Sequence, residues 1–482
     1  MGSSDRSDAT PTDRAIRSEL GGIAPTTEGE CVLSIVQLSD MHVLDAASPA
    51  RAEWVELEAH DPHWRPLLHM HRPYDALTVF ALHAHVATIA ASPVGPATAR
   101  PYDIAISTGD NIDNAQRNEL DAYLAIIAGG VARLDTHGSA QDSSTGEFGP
   151  VWPYWSPDGA VDDAWRALGY PVVEDFIART SAPVVSAGIG MPWTSVPGNH
   201  DLMLQGTALP TARTDQLATT PAKSLRRPAG FTPANPLDHY LDEPHAYSAG
   251  PTFPITAVAD RRSIDRLEWV RAHIEAGALG FDDANVATGE IDCVIDLDHV
   301  RLILLDTNHP AGDYQGSIGA AQLAWLDDRL TEVEQQPGRL AVLVSHHGAG
   351  SLVNERGGRP DRLLGQSLVD VAHRHPCVVA WLVGHRHVNR IEPRPGPNGG
   401  GFWEITTAST IDWPTQTRAV EIVRHNDGAV EVVCTLRDHD DQPGGLGSLH
   451  RDLARMFTST GIATRMAGRE GDGNVRLLLP PR

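Results

Sequence analysis

The sequence predicts an α/β fold. Three observations carry this reading: strand-like apolar runs alternate with stretches of helical spacing, the carboxy-terminal part turns into an antiparallel hairpin, and five polar blocks each begin where an apolar run stops. The runs ahead of the blocks are residues 32–38, 104–107, 193–196, 340–344 and 378–383.

Taken in order, Leu77, Phe80, Ala81, Ala84 and Ala87 predict a helix over residues 74–91, with Pro73 suited to its start. Residues 129–159 alternate Gly, Ser, Asp and Pro with Trp152, Tyr154 and Trp155, which predicts a loop anchored in the core by its aromatics. A Pro-, Thr- and Ala-rich stretch follows Asp201 as far as residue 253. Residues 293–306 read as two strands around Asp298 and His299, followed by a polar loop over 307–317. The spacing of Leu323, Leu326 and Leu330 predicts a helix over 320–334. Residues 403–409, a hairpin turning at Asn426, Asp427 and Gly428, a short helix over 449–457 and a last apolar run over 475–479 complete the chain.

The blocks are Asp40-Met41-His42, Gly109-Asp110-Asn111, Gly198-Asn199-His200-Asp201, Ser345-His346-His347 and Gly384-His385-Arg386-His387. Singly, each reads as an ordinary turn, because Gly and Asn tolerate positive φ. Five in order, each after an apolar run, read as a two-metal site, since ligands at strand ends converge at one edge of a sheet. Carboxylate oxygen, amide oxygen and neutral imidazole suit iron, manganese or zinc, and also cobalt or nickel, better than calcium. Two cations about 3.5–4 Å apart need a ligand that bridges them, and Asp110 is the candidate.

The ordered set resembles the calcineurin-like metallophosphoesterase superfamily, whose pattern is Asp-x-His, Gly-Asp-x-x-Asp, Gly-Asn-His-Asp/Glu, a later His and Gly-His-x-His. The resemblance runs over residues 31–438 with long interruptions. It implies a four-layer αββα sandwich of two mixed β-sheets flanked by helices, with a dinuclear site at one edge and long loop insertions. It makes Asp40, His42 and His387 ligands of one metal, Asn199, His346 and His385 ligands of the other, and Asp110 the bridge. By position the first histidine of the His346-His347 pair is the ligand, which leaves His347 facing the substrate or the surroundings of the metal. His200 is expected to act on the substrate as the catalytic acid, with Asp201 beside it to fix its tautomer. Asn111, His347, Arg117 and Arg386 are candidate substrate contacts.

The implied reaction is hydrolysis of a small phosphodiester by a hydroxide bridging two cations, attacking phosphorus in line with the leaving oxygen. Alternatives are a phosphomonoesterase of the same fold, a metal-dependent nuclease, and a metal-bound binding protein without turnover. Gly109-Asp110-Asn111-Ile112-Asp113-Asn114 lacks the Arg-Gly that closes this block in protein Ser/Thr phosphatases, and no Tyr stands at Asp113, where purple acid phosphatases carry a ligand. Residues 45–51, 109–118 and 192–201 look like a bacterial long-insert subgroup near the cyclic-nucleotide and glycerophosphodiester phosphodiesterase-like branch, whose members often carry a twin-arginine export signal.

Composition bounds the partners. The formal net charge of −24, from 38 basic and 62 acidic residues, opposes nucleic acid, whose binders usually present a basic surface. No apolar run reaches the roughly 18 residues of a membrane-crossing helix. The polar first thirty residues lack a signal core, so the chain reads as cytoplasmic as given, or exported if a twin-arginine leader was removed. Cys31, Cys293, Cys377 and Cys434 lie in or beside apolar runs and read as free thiols. Because the blocks span residues 40–387, one catalytic domain is expected over 30–440. It carries insertions at about 129–190 and 202–260, a flexible segment 1–29 ahead of it and an extension, 441–482, packed on it. Oligomeric state leaves no trace in the sequence.

Overall fold

The computed structural model describes residues 14–134, 154–159, 163–458, 468–469 and 471–481. Successive side chains of a strand point to opposite faces, and here both faces are apolar. In Val300–Leu305, Leu302 and Leu304 join one buried cluster while Ile303 and Leu305 join another. Strands this uniformly apolar have to be covered on both sides, as parallel strands usually are.

Two mixed sheets satisfy that demand. The seven-stranded sheet runs in the order Ala15–Arg17, Val475–Leu479, Val430–Arg437, Thr417–His425, Gly29–Leu38, Ile104–Ser107, Trp193–Ser195. Its last three strands are mutually parallel. The six-stranded sheet is ordered Arg390–Pro395, Gly401–Thr406, Val378–Val383, Leu340–Ser345, Val300–Leu305, Cys293–Asp296, with its four central strands parallel. Ile35, Ile104, Ile106 and Val420 of the first sheet pack against Leu302, Leu304, Val342 and Leu382 of the second. Each such side chain, fully buried, contributes roughly 1.5–3 kcal/mol, so the seam between the sheets is the principal core.

Helices close the outer faces. Val79, Leu82 and Val86 of Thr78–Ala91, Leu120 and Ile127 of Arg117–Ala128, and Trp269 and Val270 of Arg266–Glu275 cover the seven-stranded sheet. Leu326 and Leu330 of Ala320–Glu334, with Leu368 and Ala372 of Gly365–Arg374, cover the other. The result is the four-layer αββα sandwich. Among the described residues no helix is long and apolar enough to cross a membrane, and all four cysteines are free thiols.

Part of the amino-terminal segment expected to be flexible is held. Ala15–Arg17 forms an edge strand parallel to Val475–Leu479, and Arg17 pairs with Asp472 at 2.8 Å while lying over the Trp403 ring. The carboxy-terminal end enters the same sheet, and Leu446–Phe457 packs on Thr78–Ala91. Of the aromatics expected to anchor the first insertion, Tyr154 and Trp155 are buried, Trp155 packing with Trp165, Tyr170 and Phe176; Trp152 lies outside the described residues. The second insertion packs back on the body, where Phe231, Tyr240 and Tyr247 surround Trp54 and Trp64.

Candidate metal centre

Every block follows the carboxyl end of a parallel strand, and the two sheets bring those ends to one edge. Beyond the strands, the first two blocks continue side by side: Asp40 N–H donates to Gly109 O at 3.0 Å and His42 N–H to Asp110 O at 2.9 Å. The two sheets are tied across the edge by Gln37 Nε2, which donates to Val383 O at 3.0 Å. The backbone there is strained. Of the eleven non-glycine residues with positive φ among those described, five are expected ligands: Asp40 (φ 52), His42 (42), Asp110 (51), His385 (68) and His387 (50). Left-handed backbone costs of order 1–3 kcal/mol per residue and persists where the surroundings over-determine it. Here it turns the side chains of consecutive blocks toward a common space.

The donor atoms meet there. His42 Nε2 and His387 Nε2 are 3.1 Å apart, His387 Nε2 is 3.3 Å from Asp40 Oδ1, and His42 Nε2 is 3.7 Å from Asp110 Oδ2. On the other side of the same Asp110 oxygen stands His346 Nε2, at 3.2 Å, with Asn199 Oδ1 3.0 Å from that nitrogen. The His385 ring lies 5.2 Å from that of His346, and its backbone N–H donates to Asp40 Oδ1 at 3.0 Å. Asp110 Oδ2 thus sits between the two groups, where a bridging ligand belongs.

Whether metal ions fit is decided by what the far side of each ring does. His346 Nδ1 is 2.8 Å from Thr108 O, His387 Nδ1 is 2.6 Å from Asp412 Oδ2, and His42 Nδ1 is 3.0 Å from Asp113 Oδ1. A nitrogen facing a carbonyl or carboxylate carries the proton, so each Nε2 presents a lone pair inward. Asn199 Nδ2 donates to Gly206 O at 2.9 Å, which turns its amide oxygen inward as well. With the ring protons held on the far side, these converging acceptors repel one another and suit cations, and without a cation the same space draws protons instead. The potential shows the same preference. Burial disfavours charge on His387, yet Asp40 and Asp412 push its pKa up to about 10; burial likewise opposes charge on His346, and Asp110 with Asp40 raises it to about 9.

His200 occupies a different place. Its ring packs edge-on against His42 at 4.4 Å, and its side chain keeps 20% exposure where His42 and His346 have 2% and none. Its Nδ1 is 2.8 Å from Asp113 O and 3.2 Å from Asp113 Oδ1, and its backbone N–H donates to Asp110 Oδ1 at 2.8 Å. Burial works against its charged form, but Asp110 and Asp113 together raise its pKa. The other edge of the ring lies against Gly206, whose φ of +67 and lack of a Cβ let the chain pass between His200 and the Asn199 amide.

Several expectations are corrected. Asp201 does not meet the His200 ring: its carboxylate accepts from Gly198 N at 2.7 Å, from Asn111 N and Nδ2, and from Ile112 N. Residues adjacent in the short helix Asn199–Leu202 point in different directions, so Asp113 orients His200 while Asp201 ties the second block to the third. His347 is not turned to a substrate. It is fully buried, with Nδ1 at Thr307 Oγ1 (2.9 Å) and Nε2 at Tyr314 O (3.0 Å), and burial beside His346 pushes its pKa down to about 3. Asn111 is fully buried between Ser107, Val196 and Asp201. Arg117 faces away, pairing with Asp121 at 2.7 Å and Glu268 at 3.2 Å. Arg386 remains exposed between His385 and His387. Asp113 and Asp412 were not among the expected site residues; Asp113 closes the Gly-Asp-x-x-Asp pattern, whereas Asp412 is revealed by its contacts in the fold.

No protein-family model matches the chain. Over 88 residues it is 35% identical to a protein named probable cyclic nucleotide phosphodiesterase from Synechococcus sp. (strain WH7803). That stretch is 18% of this chain and 32% of the relative, so the match spans about a third of that protein's length. Among solved structures, a dimetal phosphatase from Danio rerio aligns with 86% of this chain and 98% of its own, at 12% identity and a TM-score of 0.42. A 5′-nucleotidase from Candida albicans aligns with 91% of this chain and 60% of its own, at 10% identity and a TM-score of 0.31.

Proposed function

We infer that this chain is an enzyme of the calcineurin-like metallophosphoesterase superfamily, a phosphoester hydrolase that works with two metal ions and acts on small phosphodiesters. One observation carries the reading: Asp40, His42, Asp110 and His387 cluster at ligand distance, His346 and His385 cluster with His347 beside them, Asp110 and Asn199 Oδ1 both meet His346 Nε2, and the far side of three of the imidazoles is clamped from behind. Asp40, His42 and His387 would hold one cation, Asn199, His346 and His385 the other, and Asp110 both. Iron, manganese and zinc suit these donors.

Held there, two cations would supply a water whose pKa falls from 15.7 to about 7 and would neutralise phosphoryl oxygens. The chain's own residues supply the rest. His200, with Nδ1–H held by Asp113, is the acid for the leaving oxygen, and Asp110 and Asp113 favour the protonated imidazole that this role needs. Arg386, exposed between two expected ligands, can meet a phosphoryl oxygen. The diester preference rests on the 88-residue likeness to the cyanobacterial protein named as a phosphodiesterase. The domain reading, one catalytic unit over 30–440 with a carboxy-terminal extension on it, is supported by the strand Val475–Leu479 lying within the seven-stranded sheet.

The test is metal analysis with parallel assays on an aryl phosphomonoester, an aryl phosphodiester, cyclic nucleotides, and single- and double-stranded DNA with manganese. Diester hydrolysis with two metals bound is expected, and His200→Ala should lower turnover by about 10²–10⁴ with metal retained. Faster monoester turnover would reverse the diester preference, DNA cleavage would indicate a nuclease, and two metals with no hydrolysis would indicate a binding protein.

A further inference from the structure

We propose that Arg51 is a positioning residue that couples the expected metal ligand His42 to the expected acid His200 through one shared carboxylate, Asp113; this rests on the hydrolase reading above. Arg51 belongs to the segment 45–51 that the sequence singles out and the metal site itself does not use. It lies 2% exposed, and every edge of its guanidinium is engaged. Nε donates to Glu53 Oε1 at 2.9 Å, Nη2 to Asp75 Oδ2 at 2.9 Å and to Met70 O at 3.2 Å, and Nη1 to Asp113 Oδ2. A planar fork held at all its edges cannot turn.

Asp113 needs that fixed partner because its other oxygen does double duty. Oδ1 stands 3.0 Å from His42 Nδ1 and 3.2 Å from His200 Nδ1, with the two rings edge-on at 4.4 Å. Rotating the carboxylate would release both imidazoles together. His200 would keep only the Asp113 carbonyl, at 2.8 Å, and His42 would lose the acceptor that sets its tautomer. Stability is a poor explanation for the arrangement. Burying one arginine against three carboxylates, with Lys223 on Glu53 at 2.9 Å, is often no better than an apolar core of equal volume.

The fold contains its own control. Arg72 holds Asp412 with two bonds of 2.7 and 2.8 Å, and of the imidazoles at the centre Asp412 bonds that of His387 and not that of His200. The two arginines therefore stand at the same remove from the centre, but only Arg51 reaches the acid as well as a ligand.

The experiment compares Arg51→Lys, Arg51→Gln and Arg72→Gln with the unaltered protein. The readouts are Mn²⁺ affinity by competition with a chelating dye, and kcat on a bis(4-nitrophenyl) diester, which expels 4-nitrophenolate, and on a diphenyl diester, which expels the more basic phenolate and needs the acid more. Arg51→Lys should weaken Mn²⁺ binding about 10-fold and slow the poor leaving group about 10–100-fold more than the good one. Arg72→Gln should weaken Mn²⁺ binding similarly while leaving the ratio of the esters unchanged. Arg51→Gln removes the guanidinium from three buried carboxylates, of which Glu53 keeps Lys223; if it does not fold, Arg51→Lys decides. A folded Arg51→Lys with unaltered Mn²⁺ affinity and an unaltered ester ratio overturns the proposal, as does an equal change of ratio in Arg72→Gln. An unaltered protein that binds Mn²⁺ but hydrolyses no ester overturns the hydrolase reading instead, and the His42 half of the coupling is then judged on Mn²⁺ affinity alone.

Discussion

Asp412→Asn isolates the carboxylate behind one expected metal ligand. Asp412 Oδ2 accepts from His387 Nδ1 at 2.6 Å and Arg72 Nη2 at 2.8 Å, and Oδ1 accepts from Arg72 Nε at 2.7 Å and Tyr74 O–H at 3.2 Å. Burial would raise its pKa, but Arg72 and His387 hold it well below the usual carboxylate range, so the side chain is an anion receiving protons from every side. An asparagine of the same shape must turn an N–H toward one of those donors. The variant therefore loses two charge-assisted bonds at about 1.5–3 kcal/mol each and leaves Arg72, with 13% side-chain exposure, unneutralised. The metal-free protein should lose roughly 3–5 kcal/mol, read as a lower denaturation midpoint in urea. If the amide N–H takes the His387 side, the ring reverses its tautomer and points Nε2–H at the cation, so Mn²⁺ affinity should fall about 10–100-fold. A folded Asp412→Asn protein with the new amide N–H on the His387 side that binds Mn²⁺ as tightly as the unaltered chain would refute the assignment of His387 Nε2 as a lone-pair donor to metal.

Three further outcomes are expected. His346→Gln should remove metal from the second position, whereas His347→Gln should keep both metals and cost about 1–3 kcal/mol through its two buried hydrogen bonds; metal content and urea melts separate the two, and metal loss in His347→Gln alone would exchange their roles. Gly206→Ala, strained at φ +67 and crowded against His200 and Asn199, should lower both stability and turnover, and full activity would show that the ring has room to move. Burial pushes the pKa of His273 down to about 3, and burial with His439 does the same to His450. A depressed histidine contributes stability that is present above its unfolded pKa near 6.5 and is lost as pH falls toward 3. Stability should therefore drop by about 1.4 kcal/mol per pH unit for each below pH 6.5, and His273→Gln should make the urea midpoint less sensitive to acid between pH 7 and 5.

Where information was local, it was readable. The helix over 320–334 and the last strand over 475–479 stand where periodicity puts them, because the side chains that create the pattern are neighbours along the chain. The expected ligands gather at the common edge of the two sheets because each follows a strand, and parallel strands end together. The partners behind them leave less: Asp113 closes the Gly-Asp-x-x-Asp pattern, but nothing in the sequence pairs it with His42, and Asp412 stands in no block. Asp113 is 71 residues from His42, and Asp412 is 25 from His387, with no spacing rule to connect them. Chain adjacency even misleads, since His200 and Asp201 diverge on a helical turn, and His346 meets Asp110 while His347, its ring 4.8 Å away, bonds Thr307 and Tyr314.

From the sequence alone came the donor chemistry, its order along the chain and its place at strand ends, because residue type and local period are properties of short segments. The tertiary structure decided which proton each imidazole keeps, which histidine of a pair faces the centre, and which carboxylate steadies the acid. Those depend on contacts between segments far apart in the chain, which exist only after the two sheets have packed.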